Sequence, residues 1–182
     1  AGAYAAGTHY ITHGHALLGE DAWERVPELT ARIELVRAQL DHLEGRLELA
    51  SERLEMLASR ATDLVLLAEV ARIRGEVLFA RGLVPQALEA CIGFLQQADI
   101  PWPQPSPEAV LAEYHALLRH LDGREVESLA ALPMIADPLR VACSNVLLAM
   151  VSPAGVTRDR SVLAVTLLRM VNFAIENGLS TS

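Results

Sequence analysis

Residues Asp63 to Pro101 read DLVLLAEVARIRGEVLFARGLVPQALEACIGFLQQADIP. The stretch predicts two antiparallel helices joined by a tight turn. The first runs from about Asp63 to Arg81 and is closed by Gly82, as glycine does in the left-handed position past a helix end. Pro85 falls at the start of the second helix, where a missing N–H costs nothing. Ala87, Leu88, Cys91, Leu95 and Ala98 share one face of that helix. Gly75 and Ala87 are small where the two helices of a hairpin must come close.

The same construction occurs one hairpin earlier. Pro27 to Glu44 carries Leu29, Ile33, Val36, Leu40 and Leu43 in a stripe expected to face the core. Gly45 ends it, and Arg46 to Arg60 follows with Leu47, Ala50, Leu54, Leu57 and Ala61 on one side. Its charged residues, Glu48, Glu52, Arg53 and Glu55, are read as a solvated face. Ala38, Gly45 and Ala50 stand 37 residues before Gly75, Gly82 and Ala87. The offsets of seven and five within each trio are those of tetratricopeptide repeats, here with a period stretched beyond the usual ~34 residues and with aliphatic side chains at the large aromatic positions. One hairpin cannot bury both of its faces, so the next must stack on it. The expected fold is all-α: stacked antiparallel hairpins forming a degenerate tetratricopeptide-like solenoid of about eight or nine helices.

Outward from these hairpins, Ala1 to Leu18 is Ala-rich and reads as helical, and GEDAW (19–23) as a break, with Asp21 a candidate cap. Ile100 to Pro107, IPWPQPSP, holds four prolines in eight residues and reads as an extended connector; a proline-rich ligand for another domain is the alternative. Ser106 caps a helix to Leu121 that should bury Val110, Tyr114, Leu117, Leu118 and Leu121. Asp122-Gly123 turns the chain, and Arg124 to Leu132 reads as a short helix. Asp137-Pro138 starts a helix burying Ala142, Cys143, Val146, Leu147 and Met150. Ser152 to Asp159 reads as a loop. Ser161 then caps a last helix with Leu163, Leu167, Leu168, Val171 and Ile175, stopped by Asn177-Gly178. Residues 1–182 form a single helical-repeat domain: hairpins over 1–101, a connector at 102–107 and further helices over 108–182.

Composition narrows the function classes. The chain has 182 residues, 52% of them apolar and 4% aromatic, which suits helix packing by Leu, Ala and Val. The mean hydropathy of +0.26 points to apolar surface meant for a neighbour. The net charge is −8, all 15 basic residues being arginine. An acidic chain without a basic stripe is a poor match for nucleic acid or anionic lipid. Cys91 and Cys143, each inside an apolar helix, read as buried reduced thiols rather than as a disulfide or zinc framework, and with no signal-peptide pattern the expected compartment is the cytosol. The most apolar run, Val162 to Ile175, is interrupted by Arg169 and Asn172 and is too short for a bilayer.

Chemistry-bearing motifs are few. There is no GxxxxGK[ST] loop, and a chain without lysine cannot supply its cation. Kinase signatures and a nucleophile-elbow context for Ser152 are missing too. His9 and His13 share a helix face at a metal-compatible spacing, but no HExxH and no third ligand accompany them. The carboxylates read as scattered over exposed faces. No cofactor is expected. If an effector pocket exists between hairpins, Trp23, Trp102 and Tyr114 are its candidate walls.

Four strings carry a family resemblance: ALLGEDAW (16–23), QALEACIGFLQQADIPWPQPSPEAVLAE (86–113), LPMIADP (132–138) and LRMVNFAIENGLSTS (168–182). Together they resemble the helical region of large bacterial STAND-type signalling ATPases. In many of these a serine/threonine kinase or cyclase and a P-loop ATPase come first, and GAF and histidine-kinase domains often follow. Arg169 stands where lysine is usual and Ile135 where methionine is common. The resemblance covers essentially the whole chain and implies a piece of a longer polypeptide. It carries over no functional residue, because the family's chemistry lies in its other domains. The implied role is a non-catalytic interaction or regulatory module whose partners are a protein or peptide, other domains of the same polypeptide or a second copy. A small-molecule effector-sensing helical domain is the alternative.

Overall fold

Asp63 opens the central helix: its carboxylate accepts a hydrogen bond from the Leu66 N–H, which would otherwise be unpaired at the helix start. The computed structural model describes residues 2–121, 123 and 126–180 of the chain. Among them are ten α-helices, two of them about one turn long, and a 3-10 helix at Val126–Ala131. In order these are α1 (Gly2–Leu18), α2 (Ala22–Arg25), α3 (Pro27–Leu43), α4 (Leu47–Arg60), α5 (Leu64–Ala80), α6 (Val84–Gln97), α7 (Pro107–Leu121), α8 (Pro138–Ala149), α9 (Val151–Gly155) and α10 (Arg160–Asn177). The fold is an all-α, solenoid-like stack.

The α5–α6 hairpin is closed at Gly82, whose φ of +76° is the left-handed turn expected there. Helix approach is tightest at Gly75. A Cβ on it would lie 2.8 Å from Cys91 Sγ and 3.5 Å from the Ala87 carbonyl oxygen. The α3–α4 hairpin repeats the design. Gly45 has φ +77°, and the crossing bond from Arg46 N–H to the Asp41 carbonyl (2.8 Å) matches that from Leu83 N–H to the Leu78 carbonyl (2.9 Å). Ala38, Ala50, Gly75 and Ala87 are all buried. The 37-residue register thus places equivalent side chains at equivalent points. A third turn of this kind ends α6, with Asp99 at φ +57° in the place glycine holds in the other two.

Helix α5 is apolar on nearly all sides because it serves two cores. Val70, Ile73 and Val77 pack with Ala31, Ala38, Ala50, Leu54 and Leu57 of the first hairpin. Leu67, Ala68 and Ala71 pack with Leu88, Cys91, Leu95 and, from the C-terminal half, Cys143, Val146, Leu147, Met150 and Phe173. The stack does not continue in chain order. Helix α8 takes the place beside α5, and α7 lies instead along α10. The proline segment makes this displacement by leading the chain away from α6, with Trp102 partly buried against the second core.

Several expectations are corrected. The inward face of α3 is Thr30, Ala31, Glu34, Ala38 and Asp41, while Leu29, Val36 and Leu43 are exposed. Burial of Glu34 (3% exposed) and Asp41 (5%) is possible because Arg53 bridges them, with Nη1 2.8 Å from Glu34 Oε2 and Nε 2.8 Å from Asp41 Oδ2. Arg53 is therefore half-buried rather than part of a solvated face, and these carboxylates are not on an exposed surface. Helix α7 buries none of its described residues: Leu111, Tyr114 and Leu118 are exposed, since α10 covers only one side of it. On α10 the buried positions are Val165, Thr166, Asn172 and Phe173, whereas Leu167 and Val171 face outward. Residues 151–155 form helix α9 within the expected loop. Asp159 rather than Ser161 caps α10, its carboxylate accepting from the Ser161 N–H at 2.8 Å. Asp21 makes no capping bond and pairs with Arg25. Asp122, Arg124 and Glu125, in the expected turn and short helix, lie outside the described residues.

Candidate functional site

Successive turns of α5 place Glu69, Arg72 and Glu76 on one stripe, continued by Phe79 and Ala80. This stripe is the floor of the largest groove described, about 920 Å³. His42 of α3 forms one wall. Asn145, Leu148 and Ala149 of α8 form the other, with Val151 and Ser152 of α9 at its end. The groove exists because α8 lies next to α5. Had α7 followed α6 into the stack, its side chains would stand there instead.

The polar floor is tightly wired. Arg72 sits between two carboxylates one turn to either side. Its Nε and Nη2 reach Glu69 Oε2 at 3.0 and 2.9 Å, and its Nη1 reaches Glu76 Oε1 at 2.7 Å. Burial alone would lower the Arg72 pKa; the bond from Glu69 and the charges of Glu76 and Glu69 outweigh it and hold the guanidinium above its ordinary value. His42 Nδ1 lies 3.9 Å from Glu76 Oε2. Asn145 Oδ1 is buried with no hydrogen-bond partner. Apolar surface flanks these groups, including Leu148 at 48% exposure.

The arrangement has the makings of a recognition surface, with a charged floor and open apolar walls. The thiol packed beneath α5 is not available as a nucleophile. Cys91 is buried, and its pKa is pushed up to about 12 by burial, then by the Glu76 charge, against the opposing pull of Arg72. Burial raises the Cys143 thiol as well. At pH 8 the Cys91 thiolate fraction is then about one in ten thousand, and the thiolate is the reactive form. The folded protein should react with a disulfide reagent at least about 100-fold more slowly than a free cysteine peptide from pH 7 to 9. In guanidinium both thiols should titrate at once. A fast native phase would contradict this account of Cys91.

The three aromatic candidates are not brought together. Trp23 packs against the first core with the Arg60 guanidinium 5.0 Å above its ring. Trp102 edges a shallow depression with Gln96, Asp99 and Pro101. Tyr114 is exposed on α7. His9 and His13 are exposed with ring centroids 4.2 Å apart, and His13 Nδ1 is 3.0 Å from the His9 carbonyl oxygen, so that nitrogen donates locally. Among the described residues no group of three His, Cys, Asp or Glu side chains is placed to share a metal ion, and no helix is long and apolar enough to cross a membrane. Sequence reasoning missed the groove residues. The available signal was the 69–72–76 spacing of charges inside a strongly apolar helix.

The chain matches no family model, no curated protein and no solved structure.

Proposed function

We propose that the chain is a non-catalytic interaction module that receives an extended protein segment in the groove between α3, α5 and α8. The supporting observation is the groove itself: a wide, open channel across three stacked helices, with apolar walls and a charged floor. The resemblance of the sequence to the helical arm of signalling ATPases adds a context, in which the bound segment belongs to another domain of the same polypeptide or to a regulatory partner. An effector-sensing role is less well supported, because Trp23, Trp102 and Tyr114 occupy separate parts of the fold.

Selection of a random peptide library on the 182-residue chain tests this reading. Enriched peptides should bind the parent protein and lose at least about tenfold in affinity on Leu148→Asp, which puts a charge on the apolar wall. Leu167→Asp, an equally exposed change on α10, should leave binding intact. A library that enriches nothing, or binders indifferent to Leu148→Asp, would remove the groove from consideration.

A further inference from the structure

The formal charges of the groove do not balance. Arg72 gives one N–H from each of its three nitrogens to Glu69 Oε2 and Glu76 Oε1. Among the described residues, the second oxygen of Glu69 accepts no hydrogen bond. That of Glu76 has only His42 at 3.9 Å, beyond hydrogen-bond reach. Asn145 Oδ1 is buried with none. Formal charge along the floor is two carboxylates against one guanidinium. The groove therefore holds one uncompensated negative charge beside Phe79, Leu148 and Val151.

From this imbalance we propose that the occupant is a basic, apolar peptide segment: an arginine or lysine pairs with Glu69 and Glu76, and a neighbouring aliphatic side chain lies on Leu148. The proposal rests on the groove reading above and adds the chemistry of the partner. An acidic segment would meet like charge on the floor and bring no donor side chain for the spare oxygens. The α5 carboxylates are one-third exposed, so the attraction is screened and should weaken as salt rises.

The test uses the 182-residue chain and three fluorescent nonapeptides in which leucine alternates with arginine, glutamine or glutamate, read by anisotropy. The arginine peptide should bind at least about tenfold more tightly than the glutamate peptide at low salt. Glu76→Gln should cut that preference about fivefold, the range expected for one partly exposed ion pair. Glu52→Gln with Glu55→Gln, exposed on α4, should not change it. Leu148→Asp should lower arginine-peptide affinity less than glutamine-peptide affinity, since the new carboxylate favours the cation. Circular dichroism confirms that each variant is folded. Equal binding of all three peptides, still sensitive to Leu148→Asp, overturns the charge inference and leaves the groove reading standing. Binding that falls equally with Glu52→Gln/Glu55→Gln is diffuse attraction to an acidic protein and overturns it too. Failure of every peptide to bind removes both.

Discussion

Replacing Arg53 by methionine should lower the unfolding free energy by about 3 kcal/mol, a drop in melting temperature of roughly 6–12 °C for a chain of this size. The guanidinium joins the two most buried carboxylates of the first hairpin, Glu34 and Asp41, through bonds of 2.8 Å to each. Burial alone would lower the Arg53 pKa, but its bonds to Asp41 and Glu34 and their charges hold it above the ordinary value, so the cation is always present. Methionine keeps the stem volume and removes only the charge and donors. The carboxylates are not stranded completely. Glu34 keeps Arg37 at 2.6 Å and His15 at 2.8 Å, and Asp41 keeps Arg46 at 2.6 Å, which places the cost at the low end for breaking a buried pair. The check is a matched triple variant. Arg53→Met with Glu34→Gln and Asp41→Asn should recover at least about half of the lost stability, because the uncompensated charge goes with the carboxylates. If Arg53→Met unfolds at the parent temperature, the network contributes nothing to holding α3 on α4.

The network also shows where sequence reading stops. Leu29, Val36 and Leu43 form as good a stripe as any in the chain, yet they are exposed, and Glu34 and Asp41 on another side of the helix are buried. Periodicity reports that a helix has two faces; which face is covered depends on what packs there. A ring of complementary charges can cover the polar one. Helices α7 and α10 repeat the lesson, with Tyr114 and Leu167 exposed at positions that match a core pattern. What was legible was local and stereochemical. Gly45 and Gly82 mark left-handed turns, Ser106 and Asp137 supply side-chain caps, and Ala38, Ala50, Gly75 and Ala87 mark close approach. These depend on a few neighbouring residues. The groove was not legible in the same way. It depends on α8 rather than α7 lying beside α5, a choice between distant segments that no local pattern records.

Gly178→Ala should open the junction between the two ends of the C-terminal half. Gly178 ends α10 through a bond from its N–H to the Ala174 carbonyl, and its φ of +108° with ψ of −178° lies in a region essentially closed to other residues. A Cβ there would stand 2.4 Å from the Pro133 carbonyl oxygen and 3.2 Å from the Ile135 nitrogen, both backbone atoms that cannot rotate aside. Those same atoms make the one parallel bridge among the described residues: Leu179 N–H donates to the Pro133 carbonyl at 2.8 Å, and Ile135 N–H to the Leu179 carbonyl at 2.9 Å. Strain and clash together exceed about 3 kcal/mol, more than two such bonds contribute. The cheapest relief is therefore local release of 133–135 from 178–179, with the core left intact. Hydrogen exchange should show Ile135 and Leu179 amides losing about 100-fold in protection while Leu54 and Leu147 amides, deep in the two cores, change little. Gly45→Ala separates the two causes. Gly45 has a similar positive φ but nothing within 4 Å of a Cβ, so it reports backbone strain alone, about 1 kcal/mol. Unchanged protection at Ile135 and Leu179 in Gly178→Ala would mean that the bridge does not hold the LPMIADP segment against the end of α10.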